Sequence, residues 1–405
     1  MDEQAELKLP IELILDMLLR PETVPQSRID VIDQPTWSLI VRRLRAHRAL
    51  PYLHFALTEK TQRILPPKIL QMLTISARLW GARQLMLGRE CLIMHQALAA
   101  KNIPHLFLKG TPLAFGAYAN ARLRPAQDVD ILVYEKDVYA ARDCVIEQGG
   151  TPIDVYQDVP PELNPDAKHL APIWSPNRIL PVELHVRIFK RFAEHASPEM
   201  EGFAAGLWDN VTTFPVSDAL LPTPGGQDMA LHLISHSVYE NFFSNGPLFL
   251  IDLQRLIESG LVDPLALHNR ACQMGMGHGC ALALKMLGRP IGGDTVTDQM
   301  VTAVSHLMLQ NTAKDTKPLN LVRSFQIGGL RAVPALLGKI APKKSHMIFL
   351  RREAGAVGGK DWSYLRLWFA MLRNHASNLK TLIRSGKGRS AARRLITVKS
   401  WLGAE

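Results

Sequence analysis

The chain has 405 residues, 47% hydrophobic and 21% charged, the length and balance of two or three globular segments. Its four cysteines (Cys91, Cys144, Cys272 and Cys280) are too few and too scattered for a disulfide framework; no apolar run approaches the roughly 18–20 residues of a membrane span; and the opening MDEQAELKLPIELILDMLL is acidic where an export signal needs basic residues, so a cytoplasmic location is expected. The net charge of +10 is uneven: residues 339–405 hold 15 Lys/Arg against 3 Asp/Glu, or +12, which leaves −2 for the other 338 and assigns the basic character to the tail.

Residues 1–100 read as helical, with apolar residues at helical spacing in PIELILDMLLR and ARLWGARQLMLGRECLIMHQALAAK and a Pro-containing break at LPPK. The character changes at IPHLFLKG, residues 103–110, an apolar run of strand length ended by glycine. VDILVY follows as a second strand, then a helix over 137–148 closed by Gly149-Gly150, then strand-like runs in TPIDVY, HLAPIW and ILPVELHVRIF. From TPGGQD onward the pattern is helical again. The expected architecture is α+β: an N-terminal helical segment (1–100), a small mixed-sheet core (101–195) and a C-terminal helical domain with a basic tail (225–405).

Chemistry concentrates in the middle segment. In LRPAQDVDILVY, Asp128 and Asp130 flank one valine at the mouth of a strand, so their side chains point to the same face with Cα atoms roughly 6–7 Å apart. Two carboxylates held that close repel, and a divalent cation between them is the economical remedy. In PVELHVRI, Val182, Leu184, Val186 and Ile188 form an apolar face, and Glu183, His185 and Arg187 the opposite one. Beside the Asp128/Asp130 strand, Glu183 makes a third carboxylate, a set that holds Mg²⁺ or Mn²⁺ together with substrate phosphates. The third part is FLKGTPLAFGAYA: a strand ending at Lys109, then Gly110 and Thr111 at a helix start, where backbone N–H groups, the threonine hydroxyl and the lysine charge can hold phosphate oxygens.

Strand–Gly–Thr–helix, Asp-x-Asp opening a second strand, and an acidic residue on a later strand together resemble the DNA polymerase β-like nucleotidyltransferase superfamily. More narrowly, LKGTPLAFGAY, LRPAQDVDILV and VELHVR, with LHLISHSVYENF and FLIDLQRL downstream, resemble the bacterial family of uncharacterised nucleotidyltransferases over roughly residues 40–260. The resemblance implies metal ligation by Asp128, Asp130 and Glu183 and a phosphate loop at Gly110-Thr111. Lys109 and Arg124 match charged family positions. The gap from Gly110 to Asp128 is longer than in the compact members of the superfamily, and Thr stands where they carry Ser or Gly. The implied activity is metal-dependent transfer of a nucleotidyl group from an NTP to an unidentified acceptor hydroxyl or phosphate, with Glu183 helping to draw off the acceptor's proton. The alternatives are transfer of a sugar or sugar phosphate from a nucleotide-sugar donor in natural-product or polysaccharide tailoring, and a non-catalytic nucleotide-binding scaffold.

Each residue also has a plainer reading. Asp128 and Asp130 can be a solvated strand end, Asp154 competes with Glu183, and His185 can support the carboxylates or simply be exposed. Arg124 meets either a phosphate or a carboxylate; Lys109 meets a phosphate or a structural ion-pair partner. Asp228, His232 and His236 recur at i, i+4 and i+8, a polar stripe expected to face the cleft, with His236 towards substrate and Asp252 paired with the stripe. Cys272, His278 and Cys280 lack zinc spacing, and GAVGGKD is one residue short of a P-loop. The basic tail suits nucleic acid or an anionic membrane without choosing between them.

Overall fold

The computed structural model describes residues 11–153, 167–189, 198–293, 295–310, 394 and 397–403. The N-terminal segment is helical, comprising α1 (Ile11–Leu19), α2 (Gln26–Asp30), α3 (Gln34–Ala46), α4 (Leu50–Ala56), α5 (Glu59–Ile64) and α6 (Pro67–Ala100). Asp33 caps α3 by accepting the Thr36 N–H, Thr58 caps α5 by accepting that of Thr61, and prolines occupy the first turns of α3, α4 and α6. At 34 residues α6 is about 51 Å long.

Strand β1 (His105–Leu108) turns sharply into α7 (Gly110–Pro112), which widens into a π-helical turn over Leu113–Ala117. Then come β2 (Val129–Val133), α8 (Val138–Glu147), β3 (Thr151–Pro152), β4 (Ile173–Trp174) and β5 (Pro181–His185). They form one mixed sheet in the order β1-β2-β5-β4-β3, with β2 and β5 parallel and the other pairs antiparallel. The expected α8 boundaries hold to within a residue, and Gly149, at φ 102°, ends that helix as only glycine does easily. Of TPIDVY, Thr151 and Pro152 pair in the sheet; Asp154 lies outside the described residues, as does most of the basic tail.

One element departs from the sequence expectation. After α9 (Pro198–Gly206), β6 (Val211–Val216) and β7 (Ala219–Pro224) form a hairpin where no strand was foreseen. Pro215, Pro222 and Pro224 interrupt its strand pattern, and its turn carries Ser217 at φ 50° in place of a glycine. The hairpin docks on β1: Thr223 Oγ1 donates to the Phe107 carbonyl at 2.9 Å, and the Phe107 and Phe214 rings meet edge to face at 5.9 Å. The C-terminal helices are α10 (Gly226–Ile234), continued by a π-helical turn over Ser235–Glu240, then α11 (Leu248–Glu258), α12 (Pro264–Gln273), α13 (Gly277–Met286) and α14 (Asp298–Gln310).

Strand alternation splits the sheet between two cores. Phe107, Val129, Ile131, Val133, Val182 and Leu184 pack with α6, α8 and the hairpin. Leu106, Leu108 and Leu132 face the other way into a larger core built jointly by the N-terminal and C-terminal helices. Asp130 of β2 and His185 of β5 are therefore enclosed between sheet and helices, while Glu183 of β5 stays half-buried.

Candidate active site

Parallel pairing of β2 and β5 sets Asp130 opposite Glu183. One strand step further on, His185 folds back over the pair: its Nε2 lies 2.8 Å from Asp130 Oδ1 and 3.3 Å from Glu183 Oε2. Asp130 is 2% exposed and His185 is equally buried, so His185 is not a surface residue of that face. Ligand atoms of Asp130, Glu183 and His185 all lie within 4.8 Å of one another. Asp128 stands beside this group, one residue before β2.

The fourth member comes from β1. Leu108 is the register partner of Asp130, so Lys109 emerges next to it and puts Nζ 2.6 Å from Asp130 Oδ1. Lys109 sits at φ 53° and ψ −119°, a backbone conformation that L residues rarely adopt. The strand-to-helix turn thus holds the lysine strained and its ammonium against the carboxylates.

The charges do not balance. Burial raises the Asp128 pKa, Asp130 and Glu183 add to this, and Lys109 and Arg48 only partly offset it, leaving Asp128 at about 6. Burial also opposes charge on Asp130, but Lys109 and His185 outweigh it and hold its pKa well below the usual carboxylate range. Glu183 is likewise lowered, with hydrogen bonding to His185 overcoming burial. Lys109 is kept charged by Asp130 against the cost of burial, so its pKa is raised. Carboxylate charge in excess of its cations, with two carboxylate oxygens and an imidazole nitrogen converging, is a donor set that fits a divalent cation.

A second polar cluster faces the first from β4's approach and α10. Lys168 Nζ bonds Glu240 Oε2 at 2.7 Å, and His236 Nδ1 lies 3.0 Å from the same oxygen. His169 Nε2 is 3.6 Å from Glu183 Oε2. His232 is buried and its Nε2 has no hydrogen-bond partner. Burial, then the charges of Lys109, His236 and Lys168, press its pKa well below that of an ordinary histidine, and its ring stands 6.3 Å from that of His236. Lys168, His169 and Glu240 were not singled out from the sequence. Only Glu240 left a signal there, four residues after His236 on the same helical face.

Several sequence expectations are corrected by the packing. Thr111 is fully buried with its hydroxyl beside the Cys91 thiol, so that hydroxyl has no access to a phosphate. The room left by Gly110 is taken by protein: a Cβ there would stand 2.7 Å from Arg124 Nη1 and 2.9 Å from the Ala126 methyl. Arg124 meets a carboxylate and not solvent, binding Asp252 through Nε at 3.0 Å and Nη2 at 2.7 Å. Asp252 also accepts the Tyr118 hydroxyl at 2.7 Å, so it belongs with Arg124 and not with the histidine stripe. Asp228 is held by Arg270 at 2.7 Å and by Asn210 at 2.9 Å, apart from the carboxylate group.

Residues 33–292 match a family model described as uncharacterised nucleotidyltransferase. No curated protein and no solved structure matches the chain.

Proposed function

The chain belongs to the uncharacterised nucleotidyltransferase family, transferases of phosphorus-containing groups, and from that premise we propose that it moves a nucleotidyl group from an NTP to an acceptor hydroxyl or phosphate. The observation that supports this reading is the Asp130–Glu183–His185 convergence, with Asp128 and the strained Lys109 at its edge. Asp130, Glu183 and His185 Nε2 are the donors that converge for Mg²⁺ or Mn²⁺, and Asp128, whose charge is felt by the same group, is the further carboxylate we assign to the ion. When bound, such an ion polarises the transferred phosphoryl group and neutralises charge on the leaving pyrophosphate.

The chain's own residues do the rest by position and charge. Lys109 Nζ, held at 2.6 Å from Asp130 Oδ1, supplies the positive charge for phosphate oxygens of the donor. Lys168, His232 and His236 line the opposite side, where the unpartnered His232 Nε2 is available to a substrate oxygen or ring nitrogen. Glu183 is more exposed than Asp130 and takes the acceptor's proton, with the open-sided His169 behind it to pass that proton to solvent. Arg124 acts on the site only through packing, by filling the space above Gly110.

The test is binding of the four NTPs and of UDP-sugars with and without Mg²⁺ or Mn²⁺, wild type against Asp128→Asn/Asp130→Asn. Metal-dependent NTP binding that the double variant loses, followed by pyrophosphate release on turnover, is the expected result. Preference for a UDP-sugar with release of UDP transfers the site to a nucleotide-sugar reaction. Nucleotide binding with equal metal response in both proteins removes the carboxylate site and leaves a scaffold.

A further inference from the structure

The positive charge is not confined to the tail. Residues 34–89 hold ten Lys/Arg (Arg42, Arg43, Arg45, Arg48, Lys60, Arg63, Lys68, Arg78, Arg83 and Arg89) and one acid, Glu59, a balance of +9. Summing over the first 338 residues conceals this block. Within it the first half of α6 presents an apolar stripe to solvent. Met72, Ile75, Leu79, Ala82 and Met86 follow one another at spacings of three and four, and all five are exposed. Leu85 lies beside the stripe and is 77% exposed; Leu79 at its centre is 67% exposed. On the helical wheel Lys68 continues the stripe, and Arg78, Arg83 and Arg89 fall within about a quarter-turn of its axis. Alongside runs a groove of about 1000 Å³ between α4, α5 and α6, with Phe55, Leu57 and Leu85 in its wall and Arg78 and Arg122 among its charges.

We propose that this α4–α6 face docks on an anionic lipid surface, with the stripe entering the headgroup–acyl boundary and the flanking arginines meeting lipid phosphates. Charge and apolar area share one face here, as interfacial helices require, and the nearly acid-free block is complementary to a negative surface. A second copy of the chain is the wrong occupant, because a two-fold contact sets this positive block against itself. Single-stranded nucleic acid wants stacking aromatics, whereas the exposed side chains here are chiefly Leu, Ile and Met. Docking would hold the enzyme beside acceptors at a membrane without any helix crossing it; none of the described helices is long and apolar enough to do so. The inference does not depend on which group is transferred.

The experiment is co-sedimentation of the full-length protein with vesicles of phosphatidylcholine alone and with about one third phosphatidylglycerol, at low and high salt. Binding to the anionic vesicles is expected, weakened by salt and reduced about fivefold by each of Arg78→Gln and Arg89→Gln. Leu79→Glu/Leu85→Glu is expected to abolish binding with an unchanged melting curve, since both side chains are already in water. If that variant does not fold, the two arginine variants decide alone. Absence of binding to anionic vesicles overturns the proposal. So does binding that all these variants retain, which would assign it to another surface, or binding to a single-stranded oligonucleotide in place of vesicles.

Discussion

Lys109–Asp130 and Arg124–Asp252 are both buried ion pairs with nitrogen–oxygen distances of 2.6 and 2.7 Å, yet they are built to different ends. Around Asp252 every strong group is answered: Arg124 donates through Nε and Nη2, Tyr118 donates its hydroxyl, and Arg124 Nη1 goes to the Pro125 carbonyl at 2.8 Å. Around Asp130 the balance is left open, with Glu183 and Asp128 adding negative charge and a lysine forced into strained backbone to oppose it. A closed network ties β2's approach to α11 and gains nothing from a ligand. An open one is stabilised by whatever cation or phosphate completes it. Distance alone does not separate scaffold from site; charge balance and backbone strain do.

The largest expected effect tests the closed network. Asp252→Asn leaves the Arg124 guanidinium buried without its counter-charge, and breaking such a pair costs about 3–5 kcal/mol. Urea denaturation of the two proteins measures it. A loss well under 1 kcal/mol would mean that Arg124 is not committed to Asp252 and is open to substrate after all.

A scaffold group also supplies the pH response that must be known before the site's own is read. His47, at the end of α3, is buried among helices beside Gly246, and burial followed by the charges of Arg48 and Arg43 pushes its pKa down to about 4. The unfolded chain takes up this proton near 6.5, the folded one near 4. Stability is therefore full above about pH 6.5 and falls as pH drops from there towards 4, by at most roughly 3 kcal/mol. Denaturation at about pH 7.5 and about pH 5 should show a larger fall in wild type than in His47→Gln. Equal falls would place the titrating group elsewhere.

Much of this was legible in the sequence, for local reasons. The alternation in VDILV and PVELH set which side chains share a face; that the two strands are neighbours was an assumption, and the parallel register is what brings Asp130 to Glu183. Helix α8, the long α6 and the helical C-terminal part followed from periodicity. What was not legible depends on partners far away in the chain. Asp252 lies 128 residues from Arg124 and 134 from Tyr118, so no local pattern could assign it. Gly110 looked like an approach for phosphate because its glycine matches a phosphate loop; that the guanidinium of Arg124 fills the space is visible only in three dimensions. The β6–β7 hairpin was hidden by its prolines.

At the open network the expectation reverses in kind. Asp128→Asn should lower metal-dependent nucleotide binding by about 100-fold, the upper end of what loss of a ligand's supporting partner alone costs. Its stability should hold or rise, because Asp128 is the carboxylate whose pKa the site raises to about 6, so that folding opposes its charge at neutral pH. Paired denaturation and binding measurements on Asp128→Asn and Asp252→Asn thus cross over: one loses function and keeps its fold, the other loses stability. Parallel losses in both variants would erase the distinction between the two networks.

The smallest effect isolates the strain at Lys109. Substituting the lysine by either Ala or Gly removes the same ammonium and leaves Asp130 with the same remaining partners, so the two variants differ only in backbone preference. At an ordinary position Gly is the less stable of the two by roughly 0.5–1 kcal/mol, through the freedom it gains on unfolding. At φ 53° and ψ −119° the order should invert, with Lys109→Gly about 1 kcal/mol more stable than Lys109→Ala, because only Ala retains the steric cost. Denaturant midpoints of the two variants read the sign directly. An Ala variant as stable as the Gly variant would mean that the turn relaxes once the lysine is gone, and that the ion pair with Asp130, not the strand-to-helix turn, imposes the conformation.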